Sequence, residues 1–495
     1  MSGSCSNQPR YRRRPLRSAI LFGFVALTGC ATAPAYRSPV VPPPASFRAV
    51  AESEPVSSHL AEATSQSLTT STDTVEHDGT SDYWERLGDT TLSRLLTEVQ
   101  RANLDVQAAR ARVSAARSDR IRTVLDLTPS ATVSGSYARQ RLSSATFPGA
   151  SGVFPDQTVW NTGVDAAWDL DVFGQIRHTV QARGALVGAA EEGLRDVQVT
   201  LTAELARAYF ELRGAQEELA VARQNAENQR HTLDLVQQRL DAGRGSAFDT
   251  ERARAQLSST LATIPARAAQ VAASQYRIGT LVGRSPSAVA QELAQPAPLP
   301  SLPDVTTIGD PDTVVRYRPD VAVAERVAAA QGALVGAAKA SYLPRITIGG
   351  SAGYSAPEFN TFGNRGTARY VIGPVITWPG LNLGRVKAEV DAAQAREQAA
   401  RAQYSQAVLA AVEEVETSLS RYRAAREQVE RLQEASASSE RAAELARLRF
   451  SEGVTDFLQV LDAERTQLEA QDRLAQGRIE AATAYAALYK AVGGR

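Results

Sequence analysis

Residues 159–170, V-W-N-T-G-V-D-A-A-W-D-L, alternate between apolar and polar positions. Trp160, Thr162, Val164, Ala166, Trp168 and Leu170 are even; Asn161, Asp165 and Asp169 are odd. A period of two predicts a strand with one apolar and one wet face. The pattern returns at 369–378, where Tyr370, Ile372, Pro374, Ile376 and Trp378 share a face opposite Arg369, Gly373 and Thr377. Partner strands follow Pro129 and Pro344: Val133 and Tyr137 alternate with Thr132, Ser134 and Ser136, and Ile346, Ile348 and Tyr354 with Arg345, Thr347 and Ser351. The expected strands are 130–142, 158–170, 345–356 and 368–379. Pro374 lacks an N–H and is expected to interrupt the ladder locally.

Trp160 and Trp168, and Tyr370 and Trp378, are each eight residues apart. At ~3.3 Å per residue that is about 26 Å along a strand, enough to set one ring at each interface of a membrane barrel. These four are the candidate membrane-interface aromatics. The rest of the chain offers only helices, so the apolar strand face is expected to meet lipid. Four strands cannot close a barrel, and open edges are not tolerated in hydrocarbon. The edges must pair with other copies. Two copies would supply eight strands and three would supply twelve.

The periodicity then changes. From 174 to 240, Leu205, Leu212, Leu219, Ala226, Leu233 and Leu240 recur every seven residues, with Leu201, Ala208, Ala215, Ala222, Gln229 and Val236 as a companion row. Residues 384–450 carry Val415, Tyr422, Val429, Ser436, Ala443 and Phe450 beside Ala411, Ser418, Ala425, Leu432, Ser439 and Ala446. Such heptads with small residues predict closely packed coiled coils. At ~1.5 Å per residue each would be a rod of about 100 Å. Each rod stops at a glycine turn, Asp241-Ala242-Gly243-Arg244-Gly245 or Ser451-Glu452-Gly453-Val454,. Return helices are expected at 248–282 and 456–492, with Pro265 kinking or interrupting the first,.

The two stretches are copies. Trp168 and Trp378, Gly174 and Gly384, Glu204 and Glu414, Gly243 and Gly453, and Gly283 and Gly493 all lie 210 residues apart,. Upstream the offset is 215, pairing Asp105-Val106 with Asp320-Val321 and Pro129 with Pro344. The chain divides into 1–29, a signal; 30–82, an anchor and extended linker; 83–283, the first repeat; 284–312, a proline-punctuated connector; and 313–495, the second repeat,.

The N-terminus adds a compartment. Five arginines precede a nine-residue apolar run, Ala19 to Leu27, too short to span a bilayer and laid out as a secretory signal,. It ends in Leu27-Thr28-Gly29-Cys30, which resembles a bacterial lipobox. Cys30 is the candidate lipidation site, and Ala31 after it, in place of an inner-membrane aspartate, favours the outer membrane. Removing 1–29 takes five of 54 basic residues and no acid, leaving 49 against 54. That balance argues against nucleic acid, whose phosphates need a basic surface. Cys5 also leaves, so no disulfide can form within the mature chain, and the four scattered histidines give no zinc spacing,. No metal or cofactor is called for, and no nucleophile–base pair or phosphate loop suggests an enzyme. After the signal no apolar run reaches the ~18 residues of a membrane helix, so spanning would fall to strands.

With these features together, the chain resembles the TolC-like outer membrane factors, in particular the lipoprotein (NodT-type) branch of resistance-nodulation-division efflux channels. The resemblance covers 83–495 and rests on Y-W-E-R-L-G-D (83–89), N-L-D-V-Q-A-A (103–109), W-D-L-D-V-F-G (168–174), R-P-D-V-A-V-A-E-R (318–326), S-Y-L-P-R-I (341–346) and R-F-S-E-G-V-T-D-F-L-Q-V-L-D-A-E-R (449–465). It implies a mostly α fold with a transmembrane β-barrel portion: a homotrimeric α/β barrel, four strands per chain, twelve in all, with long coiled-coil helices in the periplasm. It implies an inner-membrane resistance-nodulation-division pump and a periplasmic adaptor as partners, besides outer-membrane lipid.

The resemblance also implies a gate at the helix tips. The matching residues are Leu458 and Asp462, with Arg465 one turn on, and Asp249 on the first return helix. Three copies of Asp462 around one axis would attract cations and deter anions. Gln459 stands where relatives often carry an acid, which leaves a second acidic ring open. The turns at Gly243, Arg244, Gly453 and Val454 are candidate adaptor contacts. Two other readings stand beside the drug, solvent or metal efflux channel: a type I protein-secretion exporter, and a lipid-anchored coiled-coil scaffold without a pore.

Overall fold

The computed structural model describes residues 83–143, 152–305 and 310–494. The signal, Cys30 and the tether lie outside the described residues. Arg122–Ala182 with Gly332–Ala395 form one compact unit; Arg183–Gln331, Arg396–Arg495 and the described part of Arg37–Ile121 form the other.

The first unit holds a four-stranded antiparallel sheet of β1 (Ser130–Gln140), β2 (Gln157–Asp169), β3 (Arg345–Ala356) and β4 (Ala368–Thr377), in that order. Trp378 follows β4 rather than ending it. Register puts one class of side chain on each face. Tyr137 opposes Trp160, Val133 opposes Val164, Trp168 opposes Ile348 and Ala352 opposes Tyr370 on the apolar face. Thr132, Asp165 and Ser351 line up on the other. Val371 and Val375 also fall on that polar face, so β4 is apolar on both sides. The apolar face lacks a protein cover: Val133 is 77%, Ile372 74% and Tyr370 85% exposed. Burying such residues in an apolar phase is worth about 1.5–3 kcal/mol each.

Backbone direction follows from one bond. Leu170 N–H donates to the Ile346 carbonyl at 3.0 Å. Hydrogen-bonded pairs alternate along an antiparallel ladder, so even-numbered residues of β2 and β3 bond each other and odd-numbered residues of β3 turn toward β4. The even residues of β4, Tyr370, Ile372, Pro374 and Ile376, therefore aim their backbone at the open edge. By the same count Ala131, Val133, Gly135, Tyr137 and Arg139 do so on β1. Pro374 sits opposite Ile348 in an unbroken register and does not interrupt the ladder. Its missing N–H would have pointed away from β3, where a proline is tolerated.

Both repeats end their second strand in the same way. Trp168 Nε1 donates to the Leu127 carbonyl at 2.9 Å, and Trp378 Nε1 to the Tyr342 carbonyl at 3.0 Å. In the first repeat the chain then turns through Asp171, at φ 44°, and Gly174, at φ 81°. The Asp171 carboxylate accepts from the N–H groups of Ile176 and Arg177 at 2.8 and 2.9 Å. It satisfies two orphan donors of the helix that follows.

The second unit is helical. The described elements are α1 (Thr90–Ala102), α2 (Leu104–Leu125), α3 (Gln175–Asp241), α4 (Ala247–Leu281), α5 (Pro286–Glu292), α6 (Pro311–Tyr317), α7 (Pro319–Ala340), α8 (Leu383–Ser451) and α9 (Phe457–Ala491). Some of these helices run on into the first unit. The heptad rows are the packed faces: Leu205 and Leu212 are fully buried, as are Val415 and Ala443. Pro265 neither interrupts α4 nor ends it. It is exposed, so the carbonyl it strands faces water instead of a dry core,. By length and composition α7 could cross a membrane, but 39% of its most apolar stretch is buried inside the protein, and that stretch also carries Glu325 and Arg326.

The largest core among the described residues sets a group of aromatic rings among leucines, valines and alanines. Tyr83 stacks on Tyr485 at 4.5 Å, and their hydroxyls donate to each other's backbone carbonyls at 3.0 and 3.2 Å. Tyr209 donates to Asp89, which also caps α1 by accepting from Thr91 and Leu92. Burial pushes Tyr485 and Tyr209 up to about 12, for Tyr209 with help from the Asp89 bond. Arg318, the first residue of R-P-D, is 4% exposed. It gives two bonds to Asp320, one to Glu414 at 2.6 Å and one to the Ala491 carbonyl at 2.7 Å. Burial alone would raise Asp320, but the Arg318 bonds and charge hold it below its ordinary value.

Two outcomes follow. A Cβ on Gly353 would lie 2.1 Å from the Thr162 carbonyl oxygen, so Gly353→Ala forces β2 and β3 apart. Trimer yield in membranes should fall, while helix content by circular dichroism stays close to the parent's. Arg318→Ala strands two carboxylates and a carbonyl. Because those carboxylates are partly exposed and water rescreens them, the loss is expected near ~3 kcal/mol, the low end for a broken buried pair,. Thermal unfolding measures it, and Arg318→Lys should recover little because an ammonium cannot reproduce the fork.

Candidate functional site at the helix tips

Each long helix ends in the same stop. Gly243 N–H donates to Leu240 and Arg244 N–H to Arg239; Gly453 N–H donates to Phe450 and Val454 N–H to Arg449. The glycines sit at φ 71° and 80°, the left-handed positions this motif needs,. The return helices are capped by Ser246, accepting from Phe248, and by Asp456, accepting from Gln459. Gln459 thus opens α9 just inside its cap.

Val236, Ala253, Phe450, Phe457 and Val460 form a small core joining the two tips. Arg239 crosses between repeats, donating to the Phe450 carbonyl and lying 4.5 Å from the centre of the Phe450 ring. Against this core the four candidate gate residues divide. Leu458 is 52% exposed, and Asp462 and Arg465 face solvent as an ion pair at 3.4 Å. Arg465 reaches Glu469 at 3.8 Å. Asp249 lies in the first turn of α4, on the other hairpin. Phe248, 210 residues before Leu458, is 64% exposed. The two tips therefore present equivalent exposed apolar side chains.

Beneath the tip lies a buried polar network. Glu464 is 5% exposed. It accepts from Thr232 Oγ1 at 2.7 Å and from Arg447 Nε at 2.8 Å. Arg447 also donates to Gln467 at 3.2 Å, and Asn225 to Gln471 at 2.9 Å. Farther along, Arg267 bridges Glu218 and Asp472 at 2.9 and 2.8 Å, and Arg478 meets Glu217. Burial raises Glu218 above the ordinary carboxylate range, with Arg267 opposing. These contacts link α3 to α9, and through Arg447 and Arg267 to α8 and α4. Sequence reading passed over them. The signal was present: Phe457, Val460, Glu464, Gln467 and Gln471 keep heptad spacing, which sets the three polar members on a packed face, and Glu464 and Gln467 are buried there,. Among the described residues no cluster of histidine, cysteine and carboxylates could hold a metal.

An outer membrane efflux protein family model matches residues 95–284 and 311–494. Nodulation protein T of Rhizobium leguminosarum bv. trifolii is 28% identical over 478 residues, covering 95% of this chain and 96% of that one. Cation efflux system protein CusC of Escherichia coli (strain K12) is 26% identical over 475 residues, covering 95% and 97%. Among solved structures, the outer-membrane channel OprN superposes with a TM-score of 0.83 at 35% identity, covering 94% of this chain and 99% of that one. The chain belongs to the outer membrane efflux protein family, as a transport protein of the outer membrane built mostly of helices with a four-stranded share of a transmembrane barrel.

Proposed function

We propose that three copies of this chain form the outer-membrane channel of a tripartite efflux system that exports small molecules. The observation that carries the reading is the sheet: an exposed apolar face bounded by two open edges. The residues whose backbone points out of those edges are the apolar-face residues on both β1 and β4. Hydrogen-bonded pairs share a face, so joining β4 of one copy to β1 of the next continues the apolar surface without a break. Closure would remove every edge from hydrocarbon. Three copies supply twelve strands. Trp160, Trp168, Tyr370 and Trp378 are then the interface belt. Trp160 supports this by packing with Tyr137 and Phe359 at 4.5 and 5.2 Å.

The exposed Leu458 and Asp462 form the periplasmic constriction, Arg465 partly neutralises it, and Asp249 adds charge from the other hairpin. The tight turns at Gly243-Arg244 and Gly453-Val454 meet the adaptor, which links the channel to a resistance-nodulation-division pump. Cys30 carries the lipid.

Planar-bilayer recording of the purified protein tests the channel. Asp462→Ala should raise single-channel conductance and lower cation preference, because three facing negative charges are removed. An absence of conductance in both proteins would favour a scaffold. Cys30→Ala should abolish labelling by radioactive palmitate yet leave part of the trimer, since the strands insert without the anchor; loss of all trimer would contradict this.

A further inference from the structure

One end of the sheet carries charge on its apolar face. Arg139, near the end of β1, lies opposite Thr158. Side chains alternate along a strand, so Arg139 shares the face of Val133 and Tyr137. Tyr137 pairs with Trp160, and the two rings are 4.5 Å apart. Arg139 is two positions farther on, about 7 Å along the strand. That distance carries its guanidinium past the rings of the interface belt and into the headgroup layer, while its stem stays against apolar surface. Arg141 follows just beyond the strand. Helices join this hairpin at the opposite end, next to Ser130 and Asp169. With the helices in the periplasm, the arginines stand at the outer leaflet.

Both arginines turn to one carboxylate. Arg141 Nε donates to Asp156 at 2.7 Å and Arg139 Nη2 donates to it at 3.3 Å. Asp156 is the only acid they pair with among the described residues, so two positive charges meet one negative. The Arg139 and Arg141 side chains are 69% and 59% exposed. Ion pairs as open as these add little to stability. Phe359, itself exposed, packs on Trp160 at 5.2 Å and extends the shelf of rings.

The second hairpin shows that the fold does not need this charge. The repeat offsets of 215 and 210 carry Arg139–Thr158 onto Tyr354–Ala368, an observed β3–β4 pair. They carry Arg141 onto Ala356 and Asp156 onto Gly366. The same register therefore forms without either arginine or the acid. Only the first hairpin sets a basic pair against an aromatic shelf.

The geometry points to a binding site for the phosphate of an outer-leaflet lipid, held by Arg139 and Arg141, with its acyl chains against Tyr137, Trp160 and Phe359. Guanidinium forks match phosphate oxygens, and Asp156 holds the two forks side by side while leaving one positive charge for the ligand. A free phosphate would satisfy the arginines and leave the rings unused. A lipid uses both. The inference rests on the proposed placement of the apolar face against lipid.

Calorimetric titration of the full-length protein in neutral detergent tests the site. The probes are dihexanoyl phosphatidic acid, dihexanoylglycerol (the same chains without the phosphate) and inorganic phosphate. Phosphatidic acid should bind saturably, once per chain, and more weakly as salt rises. Dihexanoylglycerol and inorganic phosphate should each bind far more weakly. Arg139→Gln/Arg141→Gln should weaken phosphatidic acid at least about tenfold, and the double lysine variant should recover part of the loss. Asp156→Asn removes a competing anion and should tighten binding by about threefold. A purely structural ion pair predicts no such gain. Unchanged binding by the double glutamine variant would overturn the site, as would weaker binding by Asp156→Asn. Equal binding of inorganic phosphate would overturn the lipid as its occupant, and equal binding of dihexanoylglycerol would overturn the role of phosphate. Conductance keeps the two proposals apart. A conducting parent that shows no titration loses the lipid site alone, whereas a parent without conductance loses the channel whatever it binds.

Discussion

Hydrocarbon offers no hydrogen bonds to a polypeptide, and that constraint explains most of this molecule. A sheet whose outer face is meant for lipid must leave no backbone group unpaired in it. The described residues make four strands, with an uncovered apolar face and two open edges. The second unit has its own buried core and helices with their own packed faces. The sheet's unmet needs therefore point to further copies of itself. The agreement between edge direction and face polarity is the physical sign that those edges are made to be joined.

Long helices pose a different problem. A coiled coil faced with alanine has shallow knobs and holes, so several registers are close in energy. The buried polar contacts beneath the tips limit this freedom. Glu464 finds partners in both Thr232 and Arg447, and Arg267 finds both Glu218 and Asp472. Sliding α9 by one turn would leave buried charges alone, which costs more than the lost apolar contact. Arg318 does similar work elsewhere in the helical unit, gathering the start of α7, the middle of α8 and the end of α9 at one guanidinium.

Duplication supplied the frame, and divergence made its two halves unequal at the tips. Asp249 corresponds to Gln459, and Asp462 to Arg252, while Phe248 and Leu458 keep similar character. Equal backbone turns at Gly243 and Gly453 thus carry different charges.

The sequence by itself determined what depends on period and on single-residue backbone rules. Alternation over 159–170 marks β2, the heptads from Leu205 onward mark buried faces, and glycines mark the turns, because each is a local relation between side-chain spacing and backbone geometry. Strand order, hydrogen-bond direction and the harmlessness of two prolines were decided only by tertiary structure. Pro265 and Pro374 looked disruptive, but a carbonyl stranded within a helix matters only where it is dry, and a missing strand N–H only where it points at its own sheet; neighbours decide both. The Glu464 network was likewise hidden. A glutamate in a heptad is legible as misplaced, but the threonine and arginine that satisfy it come from helices distant in the chain, and burial of a charge depends on what folds over it.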